Sequence, residues 1–256
     1  MARLDIHQFT CLSDNFGVLV RDPDRGIVAS IDAPSADDVR SALAQTGWRL
    51  SYILTTHHHN DHTAGNVALK AETGCVIIGP RPEATKIPGI DTEVGEGDAF
   101  RLGNHQVHVI DTPGHTAGHI SFHIPSAGCA FVGDTLFAMG CGRVIEGTME
   151  MMWTSLSKIA QLPPATTIYC GHEYTLANAR FGLTIEPDNA ALKARLAEVE
   201  ALRAAGRPTL PTRLDAELET NVFLRPHVPA IRKRLGMETA PDWQVFGEIR
   251  ERKNRG

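Results

Sequence analysis

Thr56-His57-His58-His59-Asn60-Asp61-His62 is the stretch that decides the fold. It follows the apolar run Tyr52–Leu54 and precedes a helical pattern. A strand that opens into a ligand-bearing loop holds its side chains on a rigid scaffold. Three imidazoles and a carboxylate within six residues suit zinc, iron and similar ions. Alternate residues of an extended chain point the same way. His57 and His59 can therefore converge on one ion while His58 points elsewhere. Asp61 and His62 lie past the bend and can serve a second ion.

Working outward, three segments repeat the design of an apolar strand ending in a Gly-flanked turn. Val107–Asp111 leads to Gly114-His115, Ala130–Val132 to Gly133-Asp134, and Thr167–Cys170 to Gly171-His172. Further strands are expected at Val18–Val20, Gly26–Ile31, Ser51–Leu54, Cys75–Ile78, Ala99–Leu102, Gln106–Ile110 and Ile120–Ile124. Pro34–Gly47 reads as a helix with Ser35 and Asp38 in a capping box, and Ala64–Thr73 as a second helix stopped by Gly74. Many strands with fewer helices predict a layered α/β sandwich over the first two-thirds of the chain. Beyond about Gly171 the pattern becomes helical, at Pro187–Ala205, Pro226–Leu235 and Asp242–Lys253, with Thr212–Asp215 as a further capping candidate. We therefore expect a domain at 1–172 and a helical domain at 173–256.

The 256 residues include 12 histidines, ten of them between His57 and His172. Hydrophobic residues make up 42% and charged residues 21%, which is globular composition and excludes disordered, collagen-like and coiled-coil classes. The net charge is −5, yet from Arg225 onward eight Lys/Arg face four Asp/Glu. That asymmetry suggests an anionic partner at the tail. No basic stripe interleaves with aromatics, so no nucleic acid is expected. No apolar run reaches spanning or signal-peptide length, so no membrane is expected either. Five scattered cysteines without a C-x-x-C spacing fit a reducing cytoplasm.

The ligand series resembles the metallo-β-lactamase superfamily. The resemblance implies an αββα sandwich. It also implies a first metal held by His57, His59 and His115, a second held by Asp61, His62 and His172, and Asp134 bridging both. Two divalent ions are implied, zinc foremost, with iron or manganese as options. The strings Gly133-Asp134-Thr135-Leu136-Phe137, Gly140-Cys141-Gly142-Arg143, Glu146-Gly147-Thr148 and Tyr169-Cys170-Gly171-His172-Glu173-Tyr174-Thr175 resemble the hydroxyacylglutathione hydrolase (glyoxalase II) family. Glu186-Pro187, Thr220-Asn221 and Phe223-Leu224-Arg225 carry the similarity into the helical part.

By that resemblance, Arg143, Tyr174, Arg250 and Lys253 hold the glutathione moiety. A bridging hydroxide would attack the thioester of S-D-lactoylglutathione. Asp61 and Asp134 take the catalytic roles, and glutathione and D-lactate leave, as in the second step of methylglyoxal detoxification. Ile145 departs from the family, which often has tyrosine there. We expect a monomer. The competing readings are an iron-dependent persulfide dioxygenase, another hydrolase of the same fold such as a lactonase, and a metal-binding protein without catalysis. A full second ligand set argues against the first, the Gly-His-Glu-Tyr string and helical tail against the second, and the complete ligand series against the third.

Overall fold

A computed structural model describes residues 3–256; the first two residues of the expected 1–172 domain lie outside the described residues. The chain forms two compact units, Met1–Asp111 with Thr116–Gly133, and Thr112–His115 with Asp134–Gly256. The helical segment 173–256 lies wholly in the second unit, together with residues 134–172.

In the first unit, β1 (Asp5–Cys11), β2 (Asn15–Asp22) and β3 (Ile27–Ile31) run antiparallel. From β3 the sheet continues in parallel through β4 (Tyr52–Leu54), β5 (Val76–Pro80) and β6 (Thr92–Val94). Parallel neighbours need crossovers. These are α1 (Ala36–Thr46) between β3 and β4, and α2 (Asn60–Thr63) with α3 (Asn66–Thr73) between β4 and β5. Leu19, Val39, Ile53, Leu69 and Ile77 are fully buried where these helices pack on the sheet.

Ser35 caps α1 as its sequence predicts, accepting from the Asp38 N–H at 3.3 Å, and Gly47 and Gly74 close α1 and α3 in the left-handed conformation. The expected helix over Ala64–Thr73 is α3, which begins at Asn66; a separate short helical turn, α2, precedes it, and between them a Cβ at Gly65 would lie 2.9 Å from the Ala36 nitrogen. A second sheet in this unit runs β10 (Cys129–Phe131), β9 (Ile120–Ile124), β8 (His105–Asp111), β7 (Ala99–Leu102), all antiparallel.

The second unit opens with a short hairpin, β11 (Leu136–Phe137) and β12 (Gly140–Cys141). Helix α4 (Met149–Ala160) is capped by Thr148 and buries Met152, Leu156 and Ile159. Strands β13 (Thr167–Tyr169) and β14 (Thr212–Arg213) pair antiparallel. Around them lie α5 (Thr175–Ile185), α6 (Ala190–Ala204), α7 (Leu214–Thr220), α8 (Pro229–Leu235) and α9 (Asp242–Arg255).

Phe223 stands at the centre of this unit, stacked on Phe181 at 5.8 Å and edge-on to Phe246 at 6.3 Å. The Glu186 and Arg225 of the family strings form a two-pronged ion pair at 2.8 and 2.9 Å. Helices α4 and α5 and strand β1 lie outside the expected elements, although Met152, Leu156 and Ile159 of α4 do recur at helical spacing. Thr212 is not a helix cap: Arg213 takes that position, and the Thr212 hydroxyl donates to Glu217 at 2.7 Å. The carboxylate of a buried glutamate is the stronger acceptor in range.

Candidate metal centre

The parallel strands of the first unit place the ligand loop. Ile31 of β3 and Leu54 of β4 are in register, so the residues leaving their carboxyl ends stay side by side. Asp32 leaves β3, and Thr55, Thr56 and His57 leave β4. Asp32 is buried in the left-handed region at φ 55. Its carboxylate accepts from the Thr56 N–H at 2.7 Å, the Thr56 hydroxyl at 2.9 Å and His62 Nδ1–H at 2.8 Å. Because the Thr56 proton is spent on Asp32, its oxygen accepts from His57 Nδ1–H at 3.0 Å. Both imidazoles are thereby fixed as Nδ1-protonated tautomers, with Nε2 left as the ligand atom.

His57 Nε2 and His59 Nδ1 lie 3.1 Å apart, and His62 Nε2 lies 3.6 Å from an Asp61 carboxylate oxygen. That same Asp61 oxygen accepts from the Asn15 amide at 3.1 Å. Gly133 passes beneath this loop so closely that a Cβ would meet His119 Nε2 and Thr56 Oγ1 at 2.6 Å. His119 stacks on His57 at 4.9 Å, a supporting role. His58 turns away as its position in the triplet predicts. Its backbone N–H and Nδ1–H both donate to the buried Glu83 at 2.9 Å, and Glu83 also accepts from the Gly118 N–H at 2.7 Å.

The second unit brings together His115, Asp134 and His172, which are dispersed in the chain. His115 Nε2 and His172 Nε2 each lie 3.4 Å from Asp134 Oδ2. His115 Nδ1–H donates to the Arg143 carbonyl at 2.9 Å, which leaves its Nε2 as the ligand atom too. His172 is sandwiched: Tyr174 stacks on it at 4.9 Å and 5°, and Phe137 meets it edge-on at 5.8 Å. A tetrahedral ion with bonds of about 2.0–2.1 Å holds its ligand atoms about 3.3 Å apart. The four donor pairs, at 3.1, 3.4, 3.4 and 3.6 Å, fit such ions without rearrangement.

The residues expected to hold glutathione all fall in the second unit. Arg143 is exposed, and Tyr174 is half-exposed where the chain enters α5. Arg250, though close to the C-terminus, does not face solvent. It is buried, donates to the Cys141 carbonyl at 3.0 Å and lies over the Phe223 ring at 5.1 Å. Lys253 donates to the Ala177 carbonyl at 3.1 Å; desolvation, with Arg250 nearby, lowers its pKa. Ile145 is exposed.

All five cysteines are free and buried, and desolvation pushes Cys141 to about 11 and Cys170 to about 12. Neither offers a thiolate nucleophile at neutral pH. No helix among the described residues is long and apolar enough to cross a membrane. Asp32, Asn15 and Glu83 escape a sequence reading centred on histidines. Asp32 alone carries a signal: it ends the apolar strand Ile27–Ile31 just as Asp134 ends its own.

Comparison with known proteins agrees with this geometry. The metallo-β-lactamase superfamily model matches residues 19–172 and the hydroxyacylglutathione hydrolase C-terminus model matches residues 173–256. A hydroxyacylglutathione hydrolase of Mesorhizobium japonicum is 57% identical over 251 residues, 98% of either chain. One from Chelativorans sp. is 56% identical over the same share of each. The crystal structure of ETHE1 from Myxococcus xanthus superposes with a TM-score of 0.67 at 22% identity, covering 98% of this chain and 99% of that one, and so shares the fold. With its histidine–aspartate ligand series and its helical C-terminal part both matched along nearly its whole length, this chain belongs to the hydroxyacylglutathione hydrolase family of the metallo-β-lactamase superfamily.

Proposed function

We propose that the protein is a metal-dependent thioester hydrolase that cleaves S-(2-hydroxyacyl)glutathione, S-D-lactoylglutathione above all, to glutathione and a 2-hydroxy acid. The reading places it at the second step of methylglyoxal detoxification, acting as a monomer in the cytoplasm. His57, His59 and His115 would hold one divalent ion, Asp61, His62 and His172 the other, and Asp134 both. Zinc is the favoured metal, with iron or manganese accommodated by the same donors. Such ions supply Lewis acidity, lowering the pKa of a water towards about 7 and polarising the thioester carbonyl.

The chain's own groups do the rest. The Asp61 carboxylate, anchored by Asn15, orients the attacking water and accepts its hydrogen bond. The leaving thiolate has an ordinary pKa of about 8.5, so it departs without a protein acid. Arg143 and Lys253 meet the glutathione carboxylates, and Tyr174 presents its hydroxyl beside them. Arg250 contributes from its buried place between Cys141 and Phe223. Residues 173–256 form the substrate-binding domain in this reading, and 1–172 the catalytic one.

The observation that carries the proposal is the set of pre-oriented imidazole and carboxylate donors at metal-ligand spacing, on a chain 57% identical to a hydroxyacylglutathione hydrolase. The test is thioester loss, followed spectroscopically, with purified protein of measured metal content and S-D-lactoylglutathione. Turnover proportional to bound metal is expected. A fully loaded protein that leaves the thioester intact overturns the proposal, and oxygen uptake with glutathione persulfide replaces it with a dioxygenase.

A further inference from the structure

We propose that Glu217 is a positioning residue for the second unit's ligands: its buried carboxylate holds the β11–β12 hairpin whose two ends carry Asp134 and Arg143. This role rests on the metal-centre reading given above. The hairpin has only two residue pairs, Leu136 with Cys141 and Phe137 with Gly140. A two-stranded ribbon of that size does not hold itself. Its tip also contains Met139 at φ 60, a conformation that a residue with a Cβ adopts only when its surroundings impose it.

The surroundings are side chains from the helical part. Glu217, with 0% exposure, accepts from the Met139 N–H at 2.7 Å, from the Asn221 amide at 2.9 Å and from the Thr212 hydroxyl at 2.7 Å. The same Asn221 amide reaches the carbonyls of Gly140 at 2.9 Å and Phe137 at 3.3 Å. Asn178 donates to the Ala138 carbonyl and Arg250 to the Cys141 carbonyl. Every residue from 137 to 141 is thus gripped through its backbone, and Glu217 is the one acceptor that takes the left-handed N–H.

Two ligands follow from where the hairpin sits. Asp134 lies two residues before it, and the Gly142 N–H closes its base on the Thr135 carbonyl at 3.2 Å. Arg143 lies two residues after it, and its carbonyl is what fixes the His115 tautomer. A shift of the hairpin therefore moves Asp134 and releases His115 together. The Thr220-Asn221 string, which the chemistry of hydrolysis does not use, finds its purpose here.

The test compares wild type, Glu217→Gln, Glu217→Ala and Asn178→Ala for zinc affinity, by competition with a chromophoric chelator, and for kcat and KM on S-D-lactoylglutathione. Glu217→Ala is expected to weaken zinc binding and lower kcat at least tenfold each, on the scale of other groups that orient metal ligands, with KM within twofold. Glu217→Gln is expected to recover both to within threefold, since its amide oxygen still accepts from Met139 and its NH₂ can donate to Thr212. A Glu217→Ala protein with a lowered Tm but wild-type zinc affinity and kcat overturns the role. Should that variant not fold, Asn178→Ala decides. It frees only the Ala138 carbonyl, so a three- to tenfold loss of zinc affinity supports the cradle and no change overturns it. A wild type that binds no zinc overturns the metal centre itself; a zinc-binding wild type with indifferent variants overturns only Glu217.

Discussion

The two units arrange their candidate donors in opposite ways. The first takes four from one six-residue loop and orients two of the imidazoles through a single buried carboxylate, Asp32. The second takes three from turns 19 and 38 residues apart in sequence and orients them through a backbone carbonyl, an aromatic sandwich and a hairpin gripped by helices. A local loop needs one strong acceptor where two strands end together. Dispersed ligands need a separate support each, and the helical part provides several of them. It thus supports the second unit's candidate donors as well as carrying Tyr174, Arg250 and Lys253, three of the residues expected to bind substrate.

The sharpest way to break this comparison is at the aspartates. Asp134 Oδ2 faces two imidazoles, whereas Asp61 faces one. Asp134→Ala is expected to lose most of both ions and at least about 10³-fold in kcat, since losing several kcal/mol of charge stabilisation costs roughly tenfold per 1.4 kcal/mol. Asp61→Ala should retain close to one ion per chain. Elemental analysis alongside kinetics checks this, and equal metal loss in both variants would erase the asymmetry.

Next in size is Asp32→Ala. Without it His57, His62 and Thr56 lose their common acceptor, and zinc affinity should fall about 10- to 100-fold. Asp32→Asn should fall less, because its amide oxygen still accepts. Chelator competition measures both.

Smaller effects belong to the substrate side. Lys253→Ala and Arg143→Ala are expected to raise KM several-fold with little change in kcat. Removing the residues after Glu248 should lower kcat as well, because it takes away Arg250 and with it the donor to the Cys141 carbonyl. Steady-state kinetics separates the two patterns.

The pH response sharpens the contrast within the second unit. Burial alone would raise the Glu186 pKa, but hydrogen bonds from Arg225 and Asn189 outweigh it and the pKa is lowered. Its contribution to stability is present above the ordinary carboxylate value of 4.5 and is lost as pH falls through the depressed folded value. Desolvation raises Glu217, against the bonds it accepts, so its contribution runs the other way, present below 4.5 and lost as pH rises through the raised value. In urea unfolding, the penalty of Glu186→Gln should shrink in acid, while Glu217→Gln should gain on wild type between pH 4.5 and 7. The smallest effect is Ser35→Ala, about 1 kcal/mol from the lost cap of α1, or roughly 2–4 °C in Tm, with activity untouched.

The candidate donor series was legible in the sequence because metal chemistry restricts residue types at short spacing, and because strand ends are marked by glycine. The sequence showed most strands of the first unit and the cap of α1 for similar local reasons. It concealed α5, whose buried face is interrupted by Thr175, Asn178 and Gly182, whereas Met152, Leu156 and Ile159 of α4 keep helical spacing and were legible. It also concealed Glu83, Asn15 and Glu217, since a buried carboxylate looks like any surface acid until its donors are seen. Nor did the sequence show that Arg250, close to the C-terminus, is buried against Phe223.

Residue types and spacing alone named the candidate donors, set His58 apart from them and supplied the family strings that accompany them. The tertiary structure decided which nitrogen of His57, His62 and His115 remains for a ligand, and what holds Asp134 in place. The physical reason is range. Spacing along a strand or loop fixes direction over a few residues, whereas a tautomer or a left-handed turn is set by partners such as Asp32, the Arg143 carbonyl and Glu217, 24 to 78 residues away.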